Sequence, residues 1–218
     1  MQTLAILAAL PQEIDTLLAE MRPGAATHRI GMREFHVGEL WGRQCVVGLA
    51  RIGKVAAAAT TVTLIREFDA AEVIVTGLAG GVHPDVKVGD VVVASSLLQY
   101  DLDARPLFAR YEVPLLGAAE FHTAAALNAR LRASAAAFLA DEARAAVYQA
   151  TAGACRLDAV QVHTGVIGTG DRFVNDAGAV RALRAELPQV LCVEMEGAAV
   201  GQVCHEFGVP FAVLRTIS

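Results

Sequence analysis

Short apolar runs alternate with helix-period segments from one end of the chain to the other, and this alternation restricts the fold more than any single motif. Thr3–Leu10, Glu72–Gly77, Gln161–Ile167, Val190–Val193 and Phe211–Ile217 read as buried strands. Lys54–Phe68, Thr123–Leu139, Ala177–Glu186 and Glu196–Glu206 read as helices, the last stopped by Gly208-Val209-Pro210. A further helix is expected from Pro11, a residue suited to a first helical position, and another helical piece around Asp141–Gln149. Glu34–Leu40 and Gln44–Ala50 form a hairpin-like pair about Trp41-Gly42, and Lys87-Val88-Gly89-Asp90 turns the chain into strand Val91–Ser95. Such alternation predicts an α/β fold, a three-layer α/β/α domain with helices on both faces of a sheet. The composition agrees: 55% hydrophobic but only 6% aromatic, and dominated by alanine and valine, it suits closely packed parallel strands. The 218 residues suit a single domain, and no repeat or linker divides them. Gln99–Phe121 has no clean period and holds two prolines; it reads as a flap, a partner-contacting loop or an irregular connection.

A net charge of −5 argues against nucleic acid as a partner, since such surfaces are basic. No apolar run approaches the roughly 20 residues that a membrane-spanning helix needs. Leu4–Leu10 lacks the basic lead and cleavage pattern of a signal peptide, so it reads as the first buried strand and the protein as cytoplasmic. Cys45, Cys155, Cys192 and Cys204 are widely spaced and read as small core residues. Cys204-His205 has no second pair to complete a metal site, so no metal is expected.

The candidate chemistry gathers at strand ends. Val193-Glu194-Met195-Glu196 sets two carboxylates on either side of a methionine where a strand gives way to a helix. Open α/β sheets place ligands at such ends, although a helix N-terminus also favours acidic residues in its own right. Glu13, in the first turn of the first helix, admits the same two readings: a base for water, or a helix-start preference. Gly77-Leu78-Ala79-Gly80-Gly81 lets the backbone approach a ligand, but is neither a P-loop nor a dinucleotide fingerprint. Gly53-Lys54 lacks the Ser/Thr of a P-loop, and Lys54 reads as a solvated helix-start charge. Phe173, in Gly170-Asp171-Arg172-Phe173-Val174, either stacks on a planar base or caps the sheet as a core aromatic. Arg215, late in the last apolar strand, needs an anionic partner, for which Glu196 or Glu13 is expected.

Six segments in order carry a resemblance. They are Leu10-Pro11-Gln12-Glu13, Ile52-Gly53-Lys54-Val55-Ala56-Ala57, Thr76 to Gly81 with Lys87-Val88-Gly89-Asp90, Gly170-Asp171-Arg172-Phe173, Val193-Glu194-Met195-Glu196 and Arg215-Thr216-Ile217-Ser218. Over essentially the whole chain this set resembles the nucleoside phosphorylase superfamily, and more closely its 5′-methylthioadenosine/S-adenosylhomocysteine nucleosidases. The resemblance implies a single domain around a mixed, partly closed sheet, a homodimer, and cofactor-free N-glycosidic cleavage of a small purine nucleoside. It implies that Glu13 activates the attacking water, that Met195 and Glu196 hold the ribose, and that Arg215 positions Glu13, the water or the sugar. Phe173 would stack on the purine, the backbone of Val174 would hydrogen-bond it, and Ala79 and Gly80 would line the pocket. Cleavage through an oxocarbenium-like state suits this set, because carboxylates steady the positive charge as it develops on the sugar.

Three departures from the family pattern bear on function. The family's general acid is an aspartate directly after Arg-x-Ile-Ser, where this sequence stops at Ser218; the expectation is a 1–218 domain truncated before its C-terminal helix. Ala50-Arg51 replaces Ser-Gly ahead of Ile-Gly-Lys, making Arg51 a candidate anion ligand. Leu78 replaces a serine and removes a hydroxyl. The expected activity is hydrolysis of 5′-substituted adenine nucleosides. The alternatives are a phosphate-dependent purine nucleoside phosphorylase using Arg51, and a non-catalytic nucleoside-binding protein.

Overall fold

The structure, a computed structural model, describes residues 2–21, 24–141 and 160–218. Its strands are β1 (Thr3–Ala8), β2 (Ala26–Ile30), β3 (Arg33–Leu40), β4 (Arg43–Leu49), β5 (Ala70–Val75), β6 (Leu78–Gly81), β7 (Val91–Gln99), β8 (Glu120–His122), β9 (Val162–Thr169), β10 (Val190–Glu194) and β11 (Phe211–Ile217). The helices among the described residues are α1 (Asp15–Met21), α2 (Lys54–Glu67), α3 (Ala125–Ala140), α4 (Ala177–Glu186) and α5 (Gly197–Phe207). The strands form one mixed sheet in the order β2-β3-β4-β1-β5-β11-β6-β10-β9-β7-β8. An added antiparallel pairing of β11 with β7 closes β11, β6, β10, β9 and β7 into a barrel. The expected single α/β domain with a mixed, partly closed sheet is the fold observed.

The period of two along β1 explains how the layers attach. Leu4, Ile6 and Ala8 pack with Ile14 and Met21 of the α1 segment, whereas Ala5 and Leu7 join the main core with Ala57 and Leu64 of α2. Both faces are therefore covered, and β1 reads as an unbroken apolar run. α5 ends as its sequence suggests: Gly208 takes a left-handed conformation (φ 68°) and its N–H caps the carbonyls of Cys204 and His205.

Several details differ from the sequence reading. β1 stops at Ala8, and Pro11 opens a 3₁₀ turn (Pro11–Glu13) ahead of α1 rather than the helix itself. β2 was not anticipated; all five of its residues are exposed, so no apolar alternation marks it. The segment Leu78–Gly81 is a strand rather than a turn, paired with both β10 and β11. The helical piece expected after Asp141 and the residue Cys155 lie outside the described residues. Cys45, Cys192 and Cys204 are buried, as small core residues should be.

Candidate active site

The segments that follow β1, β5 and β9, the end of β10 and the last residues of β11 meet around one cavity of about 480 Å³. Glu13, Ala79, Gly80, Phe173, Val174, Met195, Glu196 and Arg215 all line it. Residues scattered over the length of the chain thus share one space, and Arg51 alone among the sequence candidates lies elsewhere. Its guanidinium donates to the Met32 carbonyl, and it borders a second, smaller cavity with Arg33, His36, Asp15 and Glu34.

Glu13 has the helix-start role that one reading of its position expects, and it also lines the cavity. Its Oε2 accepts from the N–H groups of Ala9 (2.9 Å) and Leu10 (2.8 Å), which caps the start of the helical turn. Its Oε1 reaches across to the N–H of Leu78 at 3.0 Å, at the opening of β6. A carboxylate offers about four lone-pair directions, so three backbone donors fix its orientation and leave a direction on Oε1 for water. Gly77 permits this arrangement. At φ 146° an added Cβ would stand 2.5 Å from Glu13 Oε1 and 2.4 Å from Arg215 Nη1, so only glycine lets the backbone pass beside both groups.

Arg215 is 1% exposed and its charge is matched on the spot. Its Nη2 donates to Glu194 in a close ion pair and to Glu196 Oε2 at 3.3 Å, while Nη1 donates to the Thr76 carbonyl at 3.2 Å. The sequence reading named Glu196 or Glu13 as the partner; the tighter partner is Glu194. Burial pulls the Arg215 pKa down, but the two carboxylates outweigh it and the net shift is upward. Its Nε is buried without a hydrogen-bond partner among the described residues.

Glu194 is a pivot that the sequence did not single out from its neighbours. One oxygen accepts from the Thr169 hydroxyl, and the other from the N–H groups of Glu196 (3.1 Å) and Gly197 (2.8 Å) as well as Arg215. Thr169 Oγ1 in turn accepts from the N–H of Ala198 at 2.7 Å. Glu194 thereby locks the turn that presents Met195 and Glu196. Glu196 is itself 4% exposed; its Oε1 accepts from the Gly53 N–H at 3.1 Å. Burial, and then the adjacent Glu194 carboxylate, push the Glu196 pKa up, against the pull of Arg215.

Phe173 is 74% exposed at the cavity rim, which excludes a role as a core aromatic. Lys54 is not the solvated charge that its place at a helix start suggests: its side chain is 18% exposed and its Nζ lies 2.6 Å from Asp101 Oδ1. Leu10, Ile52, Leu78 and Val193 complete an apolar wall that the sequence reading did not assign to the site.

Comparison with known proteins follows the same line. The profile of the "Phosphorylase superfamily" matches residues 3–218. The chain is 36% identical over 216 residues to the 5′-methylthioadenosine/S-adenosylhomocysteine nucleosidase of Bacillus subtilis (strain 168), covering 99% of this chain and 84% of that one. The crystal structure of the corresponding nucleosidase from Neisseria meningitidis, in complex with methylthio-immucillin-A, superposes with a TM-score of 0.86 at 34% identity, covering 100% of this chain and 86% of that one. Futalosine hydrolase of Helicobacter pylori gives a TM-score of 0.80 at 32% identity, with 100% and 84% covered. On the profile match, the identity and the shared fold, the chain belongs to the phosphorylase superfamily and, within it, to the 5′-methylthioadenosine/S-adenosylhomocysteine nucleosidases.

Proposed function

We propose that this protein hydrolyses the N-glycosidic bond of 5′-methylthioadenosine and S-adenosylhomocysteine, releasing adenine and the thioribose product. The observation that carries this reading is the convergence of Glu13, Glu196 and Arg215 on one largely apolar cavity with Phe173 at its rim. Glu13 takes a proton from water as the oxygen attacks the anomeric carbon, the C–N bond breaks, and its electron pair passes to the purine, which takes a proton from solvent and leaves as adenine. Positive charge grows on the ribose in that step, and the buried Glu196 carboxylate, held off Arg215 by 3.3 Å, steadies it. Glu196 and Met195 bind the ribose hydroxyls, Phe173 stacks on the base, the Val174 backbone hydrogen-bonds it, and Ala79 and Gly80 line the sugar and base. No step needs a cofactor. A cytoplasmic homodimer serving methionine salvage completes the proposal; among the described residues no helix is long and apolar enough to cross a membrane.

Phosphorolysis finds less support. It needs a cation free to bind phosphate beside the anomeric carbon, and Arg51 instead faces the second cavity and serves the Met32 carbonyl. Incubation with methylthioadenosine should release adenine at the same rate with and without phosphate, together with a reducing sugar. Strict phosphate dependence would overturn the hydrolase reading. Futalosine belongs in the same assay, given the futalosine hydrolase likeness.

The raised pKa of Glu196 makes a second expectation. Only the ionised form steadies a cation, so activity is retained above that pKa and lost as pH falls through it. The acid limb of kcat/KM should therefore lie above the ordinary glutamate range of about 4.3. In Glu196→Gln that limb should vanish from a much reduced profile, measured with methylthioadenosine between pH 4 and 9. A limb that persists unmoved in the variant would assign it to another group.

A further inference from the structure

Phe173 presents a large face to solvent at the cavity rim and receives little packing of its own. Its position is set by what holds the loop before it. The Gly170 N–H donates to the Glu194 carbonyl at 3.1 Å, the Asp171 N–H to Asp101 Oδ2 at 2.8 Å, and the Tyr100 hydroxyl to the Arg172 carbonyl at 3.0 Å. Asp171 Oδ1 accepts from the Lys54 N–H at 2.9 Å, at the start of α2. The Lys54 ammonium closes the cluster, 2.6 Å from Asp101 Oδ1 and 3.7 Å from Asp171 Oδ2. Neither Lys54 nor Asp101 lines the cavity. The neighbouring Gly53 N–H holds Glu196 at 3.1 Å. Two consecutive amides at one helix start therefore grip the two sides of the site: residue 53 the carboxylate on the sugar side, residue 54 the loop on the base side.

We propose that Lys54 and Asp101 are positioning residues for the base-binding loop, fixing the separation of Phe173 from Glu196 through Asp171. The inference rests on the nucleoside reading above. Without the ammonium, the Asp101 and Asp171 carboxylates face each other uncompensated and the loop that carries Phe173 is pushed outward. Partly exposed ion pairs add little to global stability, so this cluster acts on geometry more than on folding. Base stacking is made in the ground state and the transition state alike, so loosening it raises KM and leaves kcat nearly unchanged.

Lys54→Met and Asp101→Ala are the decisive variants; the first leaves two carboxylates facing each other, and the second removes the acceptor of the Asp171 N–H. Each is expected to weaken adenine binding in calorimetry, and to raise KM for methylthioadenosine, by about 10- to 100-fold. In both, kcat should change by less than about threefold, and Lys54→Arg should restore most of the affinity. A fall in kcat at unchanged KM, or adenine affinity equal to that of the unsubstituted protein in both variants, overturns the proposal. Thermal melting identifies a variant that fails to fold, in which case the other decides alone. If the unsubstituted protein binds neither adenine nor methylthioadenosine, it is the nucleoside reading that fails, an outcome separate from the clasp's own.

Discussion

Glu13→Gln is expected to reduce kcat by about 10²- to 10⁴-fold, the usual worth of a positioned general base, while methylthioadenosine still binds. The amide is isosteric but cannot take a proton from water. It also cannot satisfy its surroundings, because the carboxylate accepts from three backbone N–H groups, Ala9, Leu10 and Leu78. With its oxygen toward Ala9 and Leu10, the new NH₂ group meets the Leu78 N–H donor to donor. Such a mismatch costs about 1–3 kcal/mol of stability and would displace the opening of β6 slightly. The two effects separate in the measurement. Calorimetry with methylthioadenosine should give a dissociation constant within about fivefold of the unsubstituted protein, because the base and ribose contacts proposed above lie on other residues. Turnover should be lost far beyond that margin. Loss of binding and turnover in equal proportion would make Glu13 a structural cap only.

That double duty shows what the sequence could and could not disclose. Buried strands such as β1 and β11 were legible because nearly every residue in them is apolar, and α4 because its charged and apolar positions recur with helical period. β2 left no trace, since a fully exposed edge strand needs no apolar side chains, and β6 hid behind glycines that look like a turn. Barrel closure through β11 and β7 is a pairing of remote segments that no local pattern encodes. Arg215 stood out as a charge in an apolar strand, where burial without a partner is costly, and Glu13 and Glu196 as carboxylates just past the ends of buried strands. Lys54 did not, for a lysine at a helix start is usually solvated, and its partners Asp101 and Asp171 lie 47 and 117 residues away. Arg51 was visible as a charge but not as a direction. Its guanidinium lies on the Met32 carbonyl at the second cavity, and only coordinates reveal that.

Arg215→Met should destabilise the fold by about 3–5 kcal/mol near neutral pH, the cost of breaking a buried ion pair from one side. The methionine fills similar volume, so the loss is electrostatic: two neighbouring carboxylates remain, 7% and 4% exposed, with no cation between them. Glu194 keeps the Thr169 hydroxyl and the N–H groups of Glu196 and Gly197, whereas Glu196 keeps the backbone donors of Gly53 and Met195. Glu196, whose pKa is already raised by burial and by Glu194, is therefore the group that takes up a proton. The sign follows from proton counting. Above the unfolded carboxylate pKa of about 4.3 the folded variant binds more protons than its unfolded chain, so its stability falls as pH rises and recovers as pH drops toward that value. Urea denaturation at pH 8 and pH 5.5 should show the deficit relative to the unsubstituted protein shrinking in acid. Adding Glu194→Gln should restore part of the lost stability at pH 8 by removing one of the two uncompensated charges, a coupling that a double-mutant cycle measures directly. A deficit independent of pH, with no rescue by the second substitution, would mean that Arg215 supports the barrel through packing and that the carboxylates are not held by its charge. Since a well-packed apolar cluster could fill this volume at equal or greater stability, an arginine clamped between two acids at a cavity is better explained by the reaction than by the fold. In the hydrolysis proposed above, it holds Glu196 ionised and oriented toward a ribosyl cation that exists only in the transition state.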